Sequence, residues 1–278
     1  MAECIQVFAG DVLYSFFTPF ETIGVQDGIP IVLVPGGLSG WVSWKPHADV
    51  LSKNFKVVRV QLLNMAAAEK NQVPPKGYSL RMESEALKST LDKLGFEEIN
   101  LVGWSHGGEG SLDLALNYPN KIHSLTLIEP AAYWILRSSG SITAEVAEIN
   151  RLFSSFHNPP TEEDLIAFLK FNGLVPPSVD PRSMPRWSVW NTLKIALLSL
   201  HTVAEHQDNV ERLQALQNKP VLLVKGKDSV GANSEIVDTL HRFLPNSKML
   251  VLPDAHASHI VAQDQFIKEL QQFIAQNS

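Results

Sequence analysis

Ser105 stands between two glycines in the run Gly103-Trp104-Ser105-His106-Gly107, where the apolar stretch Ile99-Asn100-Leu101-Val102 gives way to a helical pattern. A serine is a poor nucleophile at neutral pH. It needs an imidazole to take its proton and a third group to hold that imidazole in one tautomer. The G-x-S-x-G spacing addresses the nucleophile. A strand-to-helix turn this tight strains the serine backbone and pushes its hydroxyl clear of a sheet, and a Cβ two positions to either side would clash with the adjoining strand and helix. The same five residues are compatible with a plain glycine-rich connection, so the chemistry depends on what else the chain supplies.

For the base, the segment Leu252-Pro253-Asp254-Ala255-His256-Ala257-Ser258-His259 offers two imidazoles three residues apart after the last apolar strand. His256 is the expected base, and His259 is expected to begin a helix in a surface or supporting role. Two carboxylates compete for the third role. Glu129 ends an apolar strand at the carboxyl edge of a sheet, where open α/β sheets place their sites, and a carboxylate there beside apolar cover is costly unless an imidazole or similar partner satisfies it. Asp228, in Lys225-Gly226-Lys227-Asp228, is the alternative acid, and that stretch also reads as a solvated turn. Acyl transfer further requires donors for an oxyanion. The backbone N–H of His106 and one from Pro35-Gly36-Gly37-Leu38, at Gly37 or Leu38, are the candidates. The His106 side chain is expected to face solvent or a covering segment.

The elements that must position these groups alternate. Short β-rich runs are expected over Cys4–Phe8, Asp11–Phe17, Glu21–Gln26 and Ile31–Val34, with a turn at Asp27-Gly28. A helix near Pro46–Leu51, a strand Lys56–Val60, a helix Leu80–Leu94 ended by Gly95, the strand before Ser105, a helix His106–Asn117 and a strand Ser124–Ile128 follow. The pattern resumes with the strand Val221–Val224, a helix Ser234–Phe243, the strand Lys248–Leu252 and a helix Gln263–Ala275. Continuous apolar strands alternating with helices describe a parallel sheet covered on both faces. Between about Ala131 and Gln217 the alternation breaks, with helical stretches around Thr143–Phe156, Thr161–Phe171 and Ser188–Gln207. Residues 131–217 are expected to form a helical lid inserted into a core made of residues 1–130 and 218–278.

Composition narrows the function classes. The chain has 278 residues, 45% apolar and 19% charged, with a formal charge of −6 and no Lys/Arg cluster. That argues against nucleic acid or an anionic membrane as partner. The start of the chain shows neither a secretory pattern nor a membrane-length apolar run, so a cytoplasmic protein is expected. Cys4 is the only cysteine, which excludes an intramolecular disulfide and a cysteine-based metal site. No cluster has metal-ligand spacing and no phosphate-binding glycine loop is present, so no cofactor is expected. The other histidines, among them His47, His123, His157, His201, His206 and His241, read as structural. No pattern fixes the oligomeric state, a homodimer being one option.

With the Ser105 turn, an antiparallel N-terminal region, an insertion before the last two strands and a histidine after the final one, the chain resembles the α/β-hydrolases along nearly its whole length. It is most similar to the capped ester and lactone hydrolases of the zearalenone lactonase type, through Leu127-Ile128-Glu129-Pro130 placed 24 residues after Ser105. The resemblance implies a mostly parallel, eight-stranded sheet flanked by helices, a glutamate acid at Glu129, and a base at His256, which precedes Phe266 by ten residues. The aspartate common in the superfamily stands three residues beyond a glycine, a place held here by Ser229. Asp228 is one residue short of it, and in extended chain that shift turns a side chain to the opposite face. The chain departs from the family at Gln61-Leu62-Leu63-Asn64-Met65-Ala66-Ala67-Ala68-Glu69, where most members carry an Asp-x-x-Gly-x-Gly-x-Ser type loop.

The expected activity is cofactor-free hydrolysis of a carboxylic ester or lactone of a small, largely apolar molecule through an acyl-enzyme. Trp187, Trp190, Tyr133 and Trp134, with Phe153 and Phe168, are the candidates for lining its pocket. Two alternatives use the same residues: hydrolysis of a carbon–carbon bond or a perhydrolase reaction, and a small-molecule receptor that keeps the hydrolase shape.

Overall fold

The computed structural model describes residues 17–141 and 144–277, the side chains of Ala144 and Glu145 excepted. Cys4 and the two strands expected over Cys4–Phe8 and Asp11–Phe17 lie outside the described residues, Phe17 apart. Seven strands are described: β1 (Phe20–Gly24), β2 (Ile31–Val34), β3 (Lys56–Val60), β4 (Ile99–Trp104), β5 (Ile122–Ile128), β6 (Val221–Gly226) and β7 (Lys248–Leu252). They form one sheet in the order β1-β3-β2-β4-β5-β6-β7. Only the β1–β3 pair is antiparallel.

Strand alternation divides the core. Val32, Val34, Leu101, Leu125, Leu127 and Leu223 belong to one apolar cluster, while their neighbours Ile31, Leu33, Val102, Ile128, Leu222 and Val224 belong to the other. Successive side chains of a strand point to opposite faces, so continuous apolar strands need cover on both. On one face that cover comes from the helices α1 (Lys45–Leu51) and α12 (Gln263–Gln276). On the other it comes from α3 (Leu80–Lys93), α4 (Ser105–Asn117) and α10 (Gly231–Phe243). A short helix α2 (Leu63–Ala68), absent from the expected elements, follows β3, and α11 (Ser258–Val261) precedes α12.

Between β5 and β6 the chain runs through α5 (Tyr133–Ser138), α6 (Ala144–Ser155), α7 (Glu162–Phe171), α8 (Trp187–Thr192) and α9 (His201–Glu205). The single helix expected over Ser188–Gln207 is broken into α8, a 3₁₀ segment Lys194–Ser199 and α9. The reason is local: Ser199 Oγ donates to the Ala196 carbonyl at 2.6 Å, Thr202 Oγ1 to that of Ser199 at 2.8 Å, and His201 Nδ1 to that of Leu198 at 2.8 Å. Side chains that claim the carbonyl three residues back draw the backbone out of α-helical pairing. The 3₁₀ segment packs against α2, and Leu200 reaches Gly37.

Candidate active site

Every expected participant lies at the carboxyl end of a parallel strand: Gly37 and Leu38 after β2, Ser105 after β4, Glu129 after β5, Asp228 after β6 and His256 after β7. Ser105 has φ 55 and Glu129 φ 38, both in the left-handed region. Strain of this kind persists only where the surroundings over-determine it. At Ser105 the glycines permit it. A Cβ on Gly103 would meet Ser111 Oγ and, at 2.7 Å, the Gly107 carbonyl, while one on Gly107 would meet the Pro35 carbonyl.

The imidazole of His256 bridges the serine and the glutamate. Its Nε2 lies 2.9 Å from Ser105 Oγ, and its Nδ1 lies 2.8 Å from Glu129 Oε2. Glu129 is fully buried, and its other oxygen accepts the Gly226 N–H at 2.6 Å and the Ser229 hydroxyl. Burial pushes this carboxyl up, but the bonds from His256, Ser229 and Gly226 together outweigh it and hold the group below the usual carboxylate range. Asp228 is exposed, and no hydrogen bond joins its side chain to His256; its backbone N–H donates to the Asp254 carbonyl at 3.0 Å. Ser229, one residue on, is the side chain that turns inward. Asn233 closes on His256 Nδ1 at 3.2 Å. Neither Ser229 nor Asn233 is among the residues expected in the site, although the place of Ser229 three residues after Gly226 is an available signal.

Trp104 holds His256 from behind. Its Nε1 donates to the His256 carbonyl at 2.9 Å, and its indole meets the ring of His256 tilted and that of His259 edge-on. His259 is not a surface residue: it is fully buried among Trp44, Trp104 and Phe266 with both ring nitrogens unpaired. Replacing Trp104 by Phe keeps an aromatic ring but orphans a buried carbonyl. A stability loss of about 1–3 kcal/mol is expected, with a fall in kcat, read by urea denaturation and steady-state kinetics on one sample. An unchanged midpoint would show that the His256 carbonyl finds another donor.

The N–H groups of Gly37 and Leu38 donate to no partner among the described residues. The N–H of His106 sits in the first turn of α4, where a helix has no acceptor for it. Three backbone N–H groups are therefore without a partner among the described residues: those of Gly37 and Leu38, on a loop in contact with His106, and that of His106 itself, next in the chain to Ser105. The His106 side chain does not face solvent, one of its two expected placements: it is 2% exposed, burial lowers its pKa to about 4, and its Nε2 lies 3.3 Å from the Tyr78 hydroxyl.

Tyr133 and Trp134 are buried on α5. Trp190 is 7% exposed in the core of the helical segment, and Trp187 stacks under Arg182 with the guanidinium 5.6 Å from its ring centroid. None of these four lines either of the two clefts that reach residues in contact with His256 or His106. One cleft, of about 310 Å³, runs from Ile149 and Phe171 to Asn233; the other, of about 220 Å³, runs from Val73 and Leu198 to Tyr78. Asp113, His206 and Asp208 come within metal-ligating distance of one another, but Arg81 and Arg212 pair with the two carboxylates.

The chain matches the family model for the alpha/beta hydrolase fold over residues 29–262. It belongs to that family. Among curated relatives it is 30% identical over 109 residues to a 2-hydroxy-6-oxo-2,4-heptadienoate hydrolase of Pseudomonas putida, a match covering 37% of this chain and 38% of that protein. It is 28% identical over 114 residues to carboxylesterase YbfK of Bacillus subtilis, covering 40% of this chain and 37% of that protein. The matched stretch thus spans less than two-fifths of either relative. A solved thermophilic esterase from Thermogutta terrifontis shares the fold with a TM-score of 0.70 at 20% identity, covering 94% of this chain and 93% of that one. Among the described residues no helix is long and apolar enough to cross a membrane.

Proposed function

We propose that this protein is a serine hydrolase that cleaves a carboxylic ester or lactone of a small, largely apolar molecule, with Ser105 as nucleophile, His256 as general base and Glu129 as the acid that orients it. The observation that carries this reading is the continuous hydrogen-bonded line from Ser105 Oγ through His256 to a buried Glu129. His256 takes the Ser105 proton as Oγ attacks the carbonyl carbon. Glu129 stabilises the imidazolium and fixes the tautomer in which Nε2 accepts. The oxyanion forms against the N–H of His106 and that of Leu38 or Gly37. His256 then returns the proton to the leaving oxygen, and a water activated by the same imidazole releases the acyl group.

In this reading the two arms of the substrate take the cleft at Asn233, which contacts His256, and the cleft at Tyr78, which contacts His106. The Asn233 cleft has mainly apolar walls, Ile149 and Phe171 among them, while the Tyr78 cleft is mixed, Val73 and Leu198 standing beside Ser199 and His201. Residues 131–217 act in this reading as the cap that decides which molecules fit, an assignment supported by the contact of Leu200 with the Gly37 loop.

A second reading is favoured by the Pseudomonas putida relative, whose name describes a dienoate hydrolase. Purified protein assayed against p-nitrophenyl esters, aliphatic lactones and a vinylogous 1,5-diketone separates the two. Turnover of esters or lactones with stoichiometric labelling of Ser105 by a fluorophosphonate is expected. Turnover of the diketone alone would replace the ester reading by carbon–carbon hydrolysis, and labelling without multiple turnovers would favour a receptor.

A further inference from the structure

The segment where this chain departs from its family, Gln61–Glu69, folds into α2 and ends up against the loop that carries the oxyanion donors. Asn64 on α2 is fully buried, and its Nδ2 donates to the Gly37 carbonyl at 3.0 Å. In a planar trans peptide the C=O of one residue and the N–H of the next point in opposite directions. A donor that fixes the Gly37 oxygen therefore also fixes the direction of the Leu38 N–H. Gly37 lacks the Cβ that would itself hold the loop; one placed there would lie 2.7 Å from His106 Nδ1.

Asn64 is in turn held from outside its helix. Glu83 on α3, 2% exposed, accepts the N–H of Leu63 at 2.9 Å and that of Asn64 at 3.0 Å, so its carboxylate caps the first turn of α2. The same carboxylate accepts the Tyr78 hydroxyl at 2.6 Å. Burial and the neighbouring Glu83 keep the Tyr78 proton on its oxygen. Because that proton is committed to Glu83, the Tyr78 oxygen is an acceptor toward the neutral His106 ring 3.3 Å away. His106 is the residue whose backbone N–H opens α4 beside Ser105.

We infer that Asn64 and Glu83 are positioning residues for the oxyanion hole: one chain of hydrogen bonds, His106–Tyr78–Glu83–Asn64–Gly37, ties the two sources of backbone donors to each other and sets the aim of the Leu38 N–H. The inference rests on the serine hydrolase reading. Neither side chain touches substrate. Their effect is on an interaction that strengthens only when the carbonyl oxygen becomes charged, so it belongs to kcat and not to KM.

The test compares wild type with Asn64→Leu and Glu83→Gln on p-nitrophenyl butyrate, and measures inhibition by an alkylboronic acid, whose tetrahedral adduct on Ser105 places an oxygen among the same donors. A fall in kcat of about 10- to 100-fold is expected, less than the loss from deleting a donor outright. KM should move by less than about twofold, and the boronate should weaken by the same factor as kcat. A residue of merely structural importance would lower the unfolding midpoint without this selective loss. Should Asn64→Leu fail to fold, Tyr78→Phe, which removes one hydroxyl from a partly exposed side chain, reads the same chain through a smaller, matching loss of kcat and boronate affinity, KM being set aside because Tyr78 also lines a cleft assigned to the substrate. Folded variants with unchanged kcat and unchanged boronate affinity overturn the inference while leaving the hydrolase reading intact. A wild-type protein that neither turns over esters nor binds the boronate overturns both.

Discussion

Substituting Ser105 by Ala is expected to lower kcat for ester hydrolysis by about 10⁶-fold, and Glu129→Gln by about 10³- to 10⁴-fold, while Asp228→Asn leaves it within about twofold. The serine value follows from losing the nucleophile, which leaves only binding and the oxyanion donors to work on water. The glutamate value follows from the tautomer. A glutamine in its place would keep the shape of the side chain, the strained backbone at φ 38 and an oxygen for the Gly226 N–H. Its amide would present N–H to His256 Nδ1, where Glu129 Oε2 now accepts at 2.8 Å. The ring would then carry its proton on Nε2 and could no longer accept from Ser105. It would also lose the charge that stabilises an imidazolium in a fully buried setting. Asp228 has no such leverage, since its exposed side chain makes no hydrogen bond to the imidazole. Steady-state kinetics on the three variants, with folding checked by circular dichroism, settles the acid. A large loss in Asp228→Asn with Glu129→Gln near wild type would reverse the assignment.

The choice between these two carboxylates shows what the chain discloses by itself. Periodicity is enough for the sheet and its flanking helices, because each strand from β2 to β6 is apolar on both faces and each long helix carries a stripe. It is enough for Ser105 and His256 to be singled out, since a glycine-framed serine after a strand and a histidine after the last strand are local signals. The choice of carboxylate is undecided at that level because Glu129 and His256 come from strand ends 127 residues apart, and only the register between β5, β6 and β7 determines which side chain turns inward. The inward turn of Ser229 toward Glu129, with Asp228 outside, is the physical content of that one-residue shift.

Other features are illegible for a different reason. The sequence leaves His106 between solvent and the covering segment and His259 between a surface and a supporting role, yet both are buried in surroundings that keep them neutral. Nothing in their neighbours along the chain records the indoles of Trp44 and Trp104 or the phenol of Tyr78 that close over them. Asn64 and Glu83 are likewise invisible, because the groups they bind, Gly37 and the first turn of α2, lie 27 and 19–20 residues away. The broken helix over Ser188–Gln207 is a third kind. There the apolar pattern is helical, but Ser199, His201 and Thr202 compete for the backbone carbonyls.

Buried neutral histidines should also shape the acid stability of the fold. His259→Leu is expected to make the loss of stability below pH 6.5 shallower by about 1.4 kcal/mol per pH unit. In the unfolded chain the imidazole takes up a proton near its ordinary value of about 6.5. In the folded protein burial, then the nearby His47 and His256, hold its pKa well below that value, so the unfolded state binds more protons across the interval. The contribution of the neutral ring is complete above pH 6.5 and is lost as the pH falls toward the folded value. His47 and His106 add slopes of the same sign, both lowered chiefly by burial. Glu109 acts in the opposite sense: it is fully buried on α4 with both oxygens unpaired, and burial raises its carboxyl well above the usual range. It binds a proton in the folded state before the unfolded chain does, and so supports the fold as the pH falls through its folded value toward the carboxylate range. Glu109→Gln should therefore steepen the acid limb that His259→Leu flattens. Because neither ring nitrogen of His259 has a partner, leucine should also match or exceed wild-type stability at pH 7. Urea midpoints at half-unit steps from pH 7.5 to 4.5 measure all three curves. Parallel limbs for His259→Leu and wild type would mean that this imidazole titrates alike in the folded and unfolded states, against its burial among Trp44, Trp104 and Phe266.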